Sequence, residues 1–257
     1  MNSLATPGIG LAVLCVVLVV AAAAVYRVAE LGPVTVAPKA AARAVIQLAV
    51  VALILAAALA ALWSSVLVLL VMFVAAVFTA AQRARAGRSA AWLTVSLGAG
   101  LVATLLPMLL SGVVPLTGVA VVPIGGIILG GTMTATSLAA RRALDALTER
   151  FGEVEAALSL GFLDRDARME IIRTSATDAL LPGVDQTRTV GLVTLPGAFV
   201  GVLVASGSAM HAAAVQVLVL LGLLLAQSCA VAMTIELVAT GRVHRQHPAA
   251  PRSRAVR

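Results

Sequence analysis

Residues Glu153–Arg188 are EVEAALSLGFLDRDARMEIIRTSATDALLPGVDQTR, and Val190–Gly201 follow as VGLVTLPGAFVG. The first stretch is charged and amphipathic, whereas the second is apolar enough to lie in lipid. The chain on either side of this junction consists largely of uncharged apolar runs. A polar segment held between such runs is typical of a loop that meets something on one side of a bilayer.

The composition is that of a membrane protein with several spans. Hydrophobic residues make up 61% of the chain and charged residues 11%, and the mean hydropathy is +1.08. Soluble domains carry about a quarter charged residues. The formal net charge of +7 is typical of a membrane protein that gathers Lys and Arg on its cytoplasmic loops. We therefore expect an all-α polytopic protein in the lipid bilayer, with no nucleic acid as a partner.

The lengths of the uncharged runs predict about seven transmembrane helices, because a bilayer core about 30 Å thick takes roughly 20 apolar residues of helix. The two longest runs hold two spans each, with turns expected at Leu62–Ser65 and Ser111–Gly118. The first eight residues lack a basic signal-peptide region, so we expect the first run to be kept as a span. The runs are Gly8–Tyr26, Ala44–Ala81, Ser89–Ala140, Thr189–Met210 and Ala212–Ile235.

The distribution of Lys and Arg predicts the orientation. With the N-terminus outside, all 18 basic and 11 acidic residues fall in the cytoplasm or at its membrane edge. The C-terminus is then cytoplasmic too. Residues 1–240 are predicted to form a single transmembrane domain with a large cytoplasmic loop at 141–188, and residues 241–257 a disordered tail rich in Arg, Ala and Pro.

The cytoplasmic loop has helical periodicity and is predicted as helix, glycine turn, helix. Gly161 fits a helix C-cap and Asp164 the N-cap of a second helix. A surface hairpin with a solvated charged face is the alternative. The apolar face of the first helix would hold Leu147, Phe151, Val154 and Leu158, and that of the second Met169, Ile172, Ala176 and Leu180.

The turn of this hairpin also carries a sequence motif. Glu155-Ala156-Ala157, with Gly161 and Ile171 at their positions after it, matches the spacing of the EAA-type coupling motif of ABC-importer permeases. Arg173 and Thr174 stand where that motif usually continues with Leu-Pro.

A longer match involves four segments, taken in order: VPIGGIILGGTMTATSLA (Val122–Ala139), EVEAALSLG (Glu153–Gly161), LLPGVD (Leu180–Asp185) and VGLVTLPGAFVGVLVASG (Val190–Gly207). Together they resemble the FetB-type (UPF0014) family of ABC permeases assigned to iron export, which includes plant permeases linked to aluminium tolerance. The resemblance covers roughly residues 40–240. The chain departs from that family at Gly131 and Asp185, where Asn is usual, and at Ala198–Gly201, where Met-Met-Thr-Gly is usual.

The resemblance implies a permease subunit that forms a homodimer in the inner membrane and recruits two copies of a cytoplasmic ATPase. It implies export, by alternating access, of a metal such as iron. The chain has no G-x-x-x-x-G-K-[ST] run, so ATP would bind the partner subunit and we expect no cofactor on this chain. The residues expected to dock in the ATPase are Glu153, Glu155, Ala156, Gly161, Asp164, Arg165 and Asp166.

Spans five and six hold the expected moving parts. Gly126–Gly130 and Gly197–Gly201 are GxxxG pairs, which let helices approach closely, and Pro196 would remove a hydrogen bond inside span six. Plain helix packing for the glycines, and bonds from hydroxyls to the preceding turn, are the alternatives. The expected path or hinge residues are Pro123, Gly126, Gly130, Met133, Thr134, Thr194, Pro196, Gly197, Gly201 and Gln216.

No metal site or enzyme is predicted. His211, His244 and His247 form no cluster with acids within a span, and no nucleophile has an oriented base. Two other functions stay open. A stand-alone secondary transporter would need coupling acids within its spans, where the chain offers only Glu236 near the inner edge. A membrane assembly protein would use the loop to bind a cytoplasmic partner without transport.

Overall fold

The computed structural model describes residues 8–58 and 62–245, which are helical apart from turns and one isolated β-bridge. The predicted all-α polytopic fold is confirmed, because six helical segments in these residues are long and apolar enough to cross a membrane. Met1–Ala60 and Ala61–Arg257 form two compact units.

The first unit consists of two helices that pack on each other, α1 (Ile9–Val28) and α2 (Val36–Ala58). Helix α2 begins before the uncharged run from which its span was predicted, so it also contains Lys39 and Arg43. The long aliphatic stems of such side chains let the charged groups reach the membrane surface, which is why a charge need not end a span.

The second unit begins with α3 (Leu62–Ala84), which a short 3-10 helix (Gly87–Trp92) joins to α4 (Leu93–Leu110). The turn predicted at Leu62–Ser65 is wrong, since these residues form the first turn of α3. They include neither Gly nor Pro to interrupt a helix. The turn predicted at Ser111–Gly118 is confirmed, because α4 ends just before it and the next helix begins at its last residue.

The remaining helices include two that are longer than a bilayer requires. The first of these two has 32 residues, about 48 Å of helix, and its C-terminal part is charged. The next four helices are short. These elements are α5 (Gly118–Glu149), α6 (Phe151–Ser159), α7 (Asp164–Thr177), α8 (Leu181–Thr189), α9 (Gly197–Ser206) and α10 (Ala209–Ala239), with a 3-10 turn at Asp178–Leu180 before α8.

Small residues let α3, α4, α5 and α10 pack closely at the centre of the second unit. A Cβ on Gly100 of α4 would lie 3.2 Å from the Ala230 side chain of α10. A Cβ on Gly222 of α10 would overlap Met108, and the Thr104 hydroxyl donates to the Gly222 carbonyl at 3.3 Å. Such close backbone approach is the usual way for helices to associate in lipid.

The residues directly after α10 are packed against the second unit, although they were assigned to the disordered tail. Val243 is buried, and the Ser89 hydroxyl donates to the His244 carbonyl at 2.7 Å. Arg245 pairs with Asp145 of α5 at 2.7 Å. The rest of the predicted tail, residues 246–257, lies outside the described residues.

Candidate functional site

The predicted helix, glycine turn, helix is present in α6 and α7. Gly161 follows the last turn of α6 with φ +91°, a conformation that favours glycine. The Phe162 amide donates to the Ala157 carbonyl at 3.2 Å and the Gly161 amide to the Leu158 carbonyl at 3.0 Å, which is the Schellman pattern of a helix end. The prediction that Gly161 ends the first helix is therefore confirmed.

The start of α7 differs by one residue from the prediction. Leu163 is the N-cap, and Asp164 and Asp166 lie in the first helical turn. No side chain caps the helix. The two carboxylates instead stabilise this end of α7 through their interaction with the helix dipole.

The two helices of the hairpin are buried to different extents. Met169, Ile172 and Ala176 of α7 are buried in the core of the second unit, as their spacing predicts. On α6 only Val154 is buried, in a small cluster with α5 and α7, whereas Leu147 belongs to α5. Of the apolar face predicted for the first helix, Leu147 and Val154 do pack together, whereas Phe151 and Leu158 are exposed because the chain bends at Arg150.

Large apolar side chains are exposed on α6 and its turn. Leu160 is 81% exposed and Leu163 72% exposed. A cluster of such residues in a charged segment is unusual on a surface that stays free, and it is typical of a protein contact. We call Phe151, Leu158, Leu160, Phe162 and Leu163 the turn patch.

Ion pairs tie the hairpin to the ends of the long helices. The Arg165 guanidinium donates to the Glu236 carboxylate of α10 at 2.7 Å and 2.6 Å, and to Asp166 at 2.8 Å. The Glu236 and Asp166 carboxylates raise the pKa of Arg165 further above its usual value. Arg142 of α5 pairs with Asp178, just before α8, at 3.2 Å. Ion pairs therefore connect the hairpin region to both α5 and α10.

A second ion pair is local to the hairpin. The Arg150 guanidinium donates to the Glu153 carboxylate at 2.7 Å, and this hydrogen bond lowers the pKa of Glu153 below its ordinary value. Both side chains are about half exposed, so the ion pair makes only a small contribution to the stability of the bend between α5 and α6.

The residues expected to dock in an ATPase lie along this hairpin. Three of them, Glu153, Arg165 and Asp166, already take part in ion pairs. The exposed residues are Glu153, Glu155, Ala156, Gly161, Asp164 and Arg165, and Asp166 is half-buried.

The predicted sixth span is not one continuous helix. Helix α8 ends at Thr189, a turn closed by the Gly191 amide donating to the Thr194 carbonyl at 2.9 Å follows, and the ten-residue α9 begins at Gly197. The prediction that Pro196 lies inside this span is wrong, since it is the N-cap of α9. Hydropathy predicts one span here because it measures apolar character and does not detect where the helical hydrogen bonds end.

The short α9 leaves an apolar cavity of about 920 Å³ between itself, α5 and α10. Pro123 of α5 and Gly201 of α9 line it, and His211 is a polar residue at its wall. Of the expected path residues, these two are the only ones among the described residues that the cavity brings together.

The glycines of the GxxxG pairs have different surroundings. A Cβ on Gly126 would lie 2.8 Å from Met72 of α3, which fits the packing alternative. At Gly130, Gly197 and Gly201 a Cβ would meet nothing within 4 Å. These three therefore lie at open surfaces rather than at a tight helix contact.

Thr134, the expected polar path residue on α5, bonds within its own helix. The Thr134 hydroxyl donates to the Gly130 carbonyl at 3.0 Å, which fits the alternative of bonding to the preceding turn. Met133 is partly buried against the main core. Thr194 is exposed in the turn before α9.

Two glutamines of α10 are buried at membrane-spanning positions. Gln216, an expected path residue, has a buried Oε1 atom without a hydrogen-bond partner, and so has Gln227, which the sequence analysis missed. Gln227 lies against Gly131 of α5 and Gly183 of α8. An amide within an otherwise apolar run was the available signal for it.

The described residues contain no group of three or more His, Cys, Asp and Glu side chains that could hold a metal ion. The site is thus built from an exposed hairpin, a broken span and an apolar cavity.

A model of the uncharacterised protein family UPF0014 matches residues 10–241. Protein ALUMINUM SENSITIVE 3 of Arabidopsis thaliana is 32% identical over 60% of this chain and 57% of its own length. UPF0014 membrane protein STAR2 of Oryza sativa subsp. japonica is 34% identical over 60% of this chain and 54% of its own length. The chain thus spans little more than half the length of these two plant relatives.

The bacterial relative named "Probable iron export permease protein FetB", from Escherichia coli (strain K12), is 30% identical over 69% of this chain and 70% of its own length. No solved structure matches this chain.

Proposed function

This chain belongs to the UPF0014 family, and on that premise we propose that it is the membrane-spanning permease subunit of an ABC transporter driven by a separate cytoplasmic ATPase. The observation that carries the proposal is the hairpin of α6 and α7, which presents the turn patch outward while ion pairs hold it to α5 and α10. A docked ATPase would cover these exposed apolar side chains.

The ion pairs supply the mechanical part of the proposal. Motion of an ATPase bound at the turn patch passes to α10 through Arg165 and Glu236, and to α5 through α7, which packs on it. Rigid helices joined by such contacts transmit displacement, which a flexible linker does not. Alternating access then follows from rocking of α5, α9 and α10 around the cavity.

The assembly is a homodimer with two ATPase copies, in an inner membrane, with the N-terminus outside and the C-terminus in the cytoplasm. In the second unit the charged residues of the described chain lie from Arg83 to Arg88 at and after the end of α3, from Arg141 of α5 to Arg188 of α8, and from Glu236 of α10 onward, which supports that orientation. ATP binds the partner subunit.

The proposed cargo is a metal such as iron, moved outward. FetB is named a probable iron export permease, and its match to this chain supports the cargo. The described residues that line the cavity include no Asp, Glu, Cys or Met, so the metal would cross as a complex or as a weakly held ion, because tight binding of a bare cation needs anionic or soft ligands.

The coupling proposal is tested by co-expressing the chain with candidate ATPases and purifying the complex. We expect Glu155→Lys and Gly161→Glu to reduce copurification, because both add charge or strain at the docking hairpin. Glu170→Lys, with the same charge change at an exposed site on α7, serves as the matched control. Copurification unaffected by the first two changes would contradict docking at this hairpin.

The cargo is tested separately by deleting the gene and measuring the metal content of whole cells. We expect iron to accumulate. Unchanged iron content, with another metal raised, would overturn the iron assignment and leave the coupling proposal intact.

A further inference from the structure

Helix α8 meets α5 and α10 at the buried amide of Gln227. A Cβ on Gly183 would overlap the Gln227 side chain, and one on Gly131 would lie 2.9 Å from its Nε2 atom. Gly183 is itself buried. The level of α8 along the long helices is therefore fixed by this three-way contact.

That level lies well inside the apolar parts of α5 and α10. Gln227 precedes Glu236, the first acidic residue toward the cytoplasmic end of α10, by nine residues, or about 13 Å of helix. Gly131 precedes Arg141, the first charged residue of α5, by ten residues, or about 15 Å. Gly183 is thus more than 10 Å from the charged ends of its two neighbours.

Asp185 and Arg188 share this depth. They follow Gly183 by two and five residues on the same helix, so Arg188 lies within about 8 Å of Gly183 along the axis whatever the tilt of α8. The chain then continues to α9, whose Gly201 lines the cavity with Pro123 and Leu218, farther from the charged ends. Both charged residues therefore lie within about 8 Å of the level of Gly183 along the axis.

The two charges point away from the packed face of α8. At 100° a residue, Asp185 lies about 200° and Arg188 about 140° around the helix from Gly183. Both are exposed, and neither takes part in any ion pair between the described residues. An ionised carboxylate and a guanidinium cannot face hydrocarbon without protein or water around them.

The charge pattern of this face is self-complementary. A two-fold axis along the membrane normal places equivalent residues of the two copies at equal depth. Asp185 and Arg188 are at most about 4.5 Å apart along the helix axis, so the long Arg188 side chain of each copy can reach Asp185 of the other and the copies can pair twice. Leu181, one turn before Asp185, adds an exposed apolar side chain to this face. A second copy of this chain would pair with these charges and cover the exposed apolar side chains of the face.

We infer that α8 forms the contact between two copies of this chain within the membrane, with Asp185 of each copy paired to Arg188 of the other. Leu181, at about 160° from Gly183, lies on the same face of α8 as these two residues. The inference rests on the proposed homodimeric transporter and adds the surface on which the copies meet. With this contact inside the membrane, the cytoplasmic loop ends near Leu180 instead of at Arg188.

Cysteine crosslinking in native membranes tests the surface. In a Cys15→Ser, Cys229→Ser background, Leu181→Cys is expected to give a disulfide-linked dimer on oxidation. Leu225→Cys, exposed to a similar extent on α10, is the matched control and is expected to stay monomeric. Monomer only from Leu181→Cys, or equal dimer from both, overturns the inference.

Charge exchange tests the pairing. Asp185→Arg and Arg188→Asp each place like charges opposite each other and are expected to lower the dimer fraction at least tenfold, because a desolvated charge loses its partner. The double exchange restores opposite charges and is expected to recover most of the dimer. If the double variant is no better than the single ones, or if it does not fold while the neutral pair Asp185→Asn, Arg188→Gln loses as much dimer as a single exchange, the inference fails.

ATPase copurification, measured on the same samples, separates the two proposals. A dimer that forms without these residues and still binds the ATPase overturns the α8 contact and leaves the transporter proposal standing. Loss of the ATPase with an intact α8 crosslink would overturn the transporter proposal and leave the contact standing.

Discussion

The hairpin of α6 and α7 and the broken span of α8 and α9 lie next to each other in the chain and differ in what they leave exposed. The hairpin has part of its charge paired, through Arg150, Arg165 and Asp178, and its turn exposes large apolar side chains. The broken span packs through Gly183 and leaves Asp185 and Arg188 without ion pairs among the described residues. The two regions therefore fit different partners. The hairpin fits a protein that covers apolar side chains in water, and the broken span fits one that pairs with charges within the lipid.

The largest expected effect is on the turn patch. Leu160→Asp with Phe162→Asp should weaken ATPase binding by about 2–4 kcal/mol, or roughly 30-fold or more, because anchor residues at the centre of an interface have effects of this size. Binding of a purified ATPase to the chain in nanodiscs measures it. The same aspartates at Leu192 and Val193 are the control, and a similar loss there would remove the distinction between the two regions.

Packing of the broken span comes next. Gly183→Ala should lower the free energy of unfolding by about 1–3 kcal/mol, because the added methyl group overlaps Gln227 in a filled core. Thermal unfolding in detergent measures the change. Gly197→Ala, where the methyl group would meet nothing within 4 Å, should leave the melting temperature unchanged. Equal shifts would contradict the packing of α8 on α10.

The anchor of the hairpin should affect coupling more than stability. Arg165→Ala removes the contact with Glu236 but leaves the turn patch intact, so ATPase binding should persist while ATP-dependent transport falls. The pair is exposed, and such pairs contribute little to stability. Transport and ATPase binding measured on one preparation would show the split. Parallel loss of both would place Arg165 in the docking surface instead.

The smallest expected effect is the pH response at the bend. The hydrogen bond from Arg150 lowers the pKa of Glu153, so its contribution to stability is complete above the ordinary pKa and is lost as the pH falls through the lowered one. Melting temperature between pH 6 and pH 3 should therefore drop slightly more in the parent chain than in Glu153→Gln. A steeper drop in the variant would contradict the sign.

Local patterns were sufficient for much of this structure. Apolar runs long enough to cross a bilayer predicted the spans, and Gly161 predicted the end of α6. Both features depend on residues that are close together in the sequence. The bend at Arg150 was missed, since it depends on contacts with α7. The pairing of Arg165 with Glu236 joins residues 71 positions apart, and no spacing rule predicts it.

The sixth span shows the limit most clearly. Thr189–Met210 is apolar enough to cross a membrane, but hydropathy averages over Val190–Pro196, where the backbone turns and the helix stops. The predicted end of the cytoplasmic loop at Arg188 rests instead on the distribution of charged residues. Only the contact of Gly183 with Gln227 gives the level of α8 along α10.

ATP-driven metal movement in reconstituted vesicles tests the central claim most directly. The chain is inserted with its ATPase, ATP is added on the ATPase side, and accumulation of iron inside the vesicles is measured for the parent chain and for Leu160→Asp with Phe162→Asp. We predict accumulation that requires ATP and is lost in the variant. Accumulation that persists without the ATPase, or is equal in the variant, would contradict a transporter driven through the hairpin.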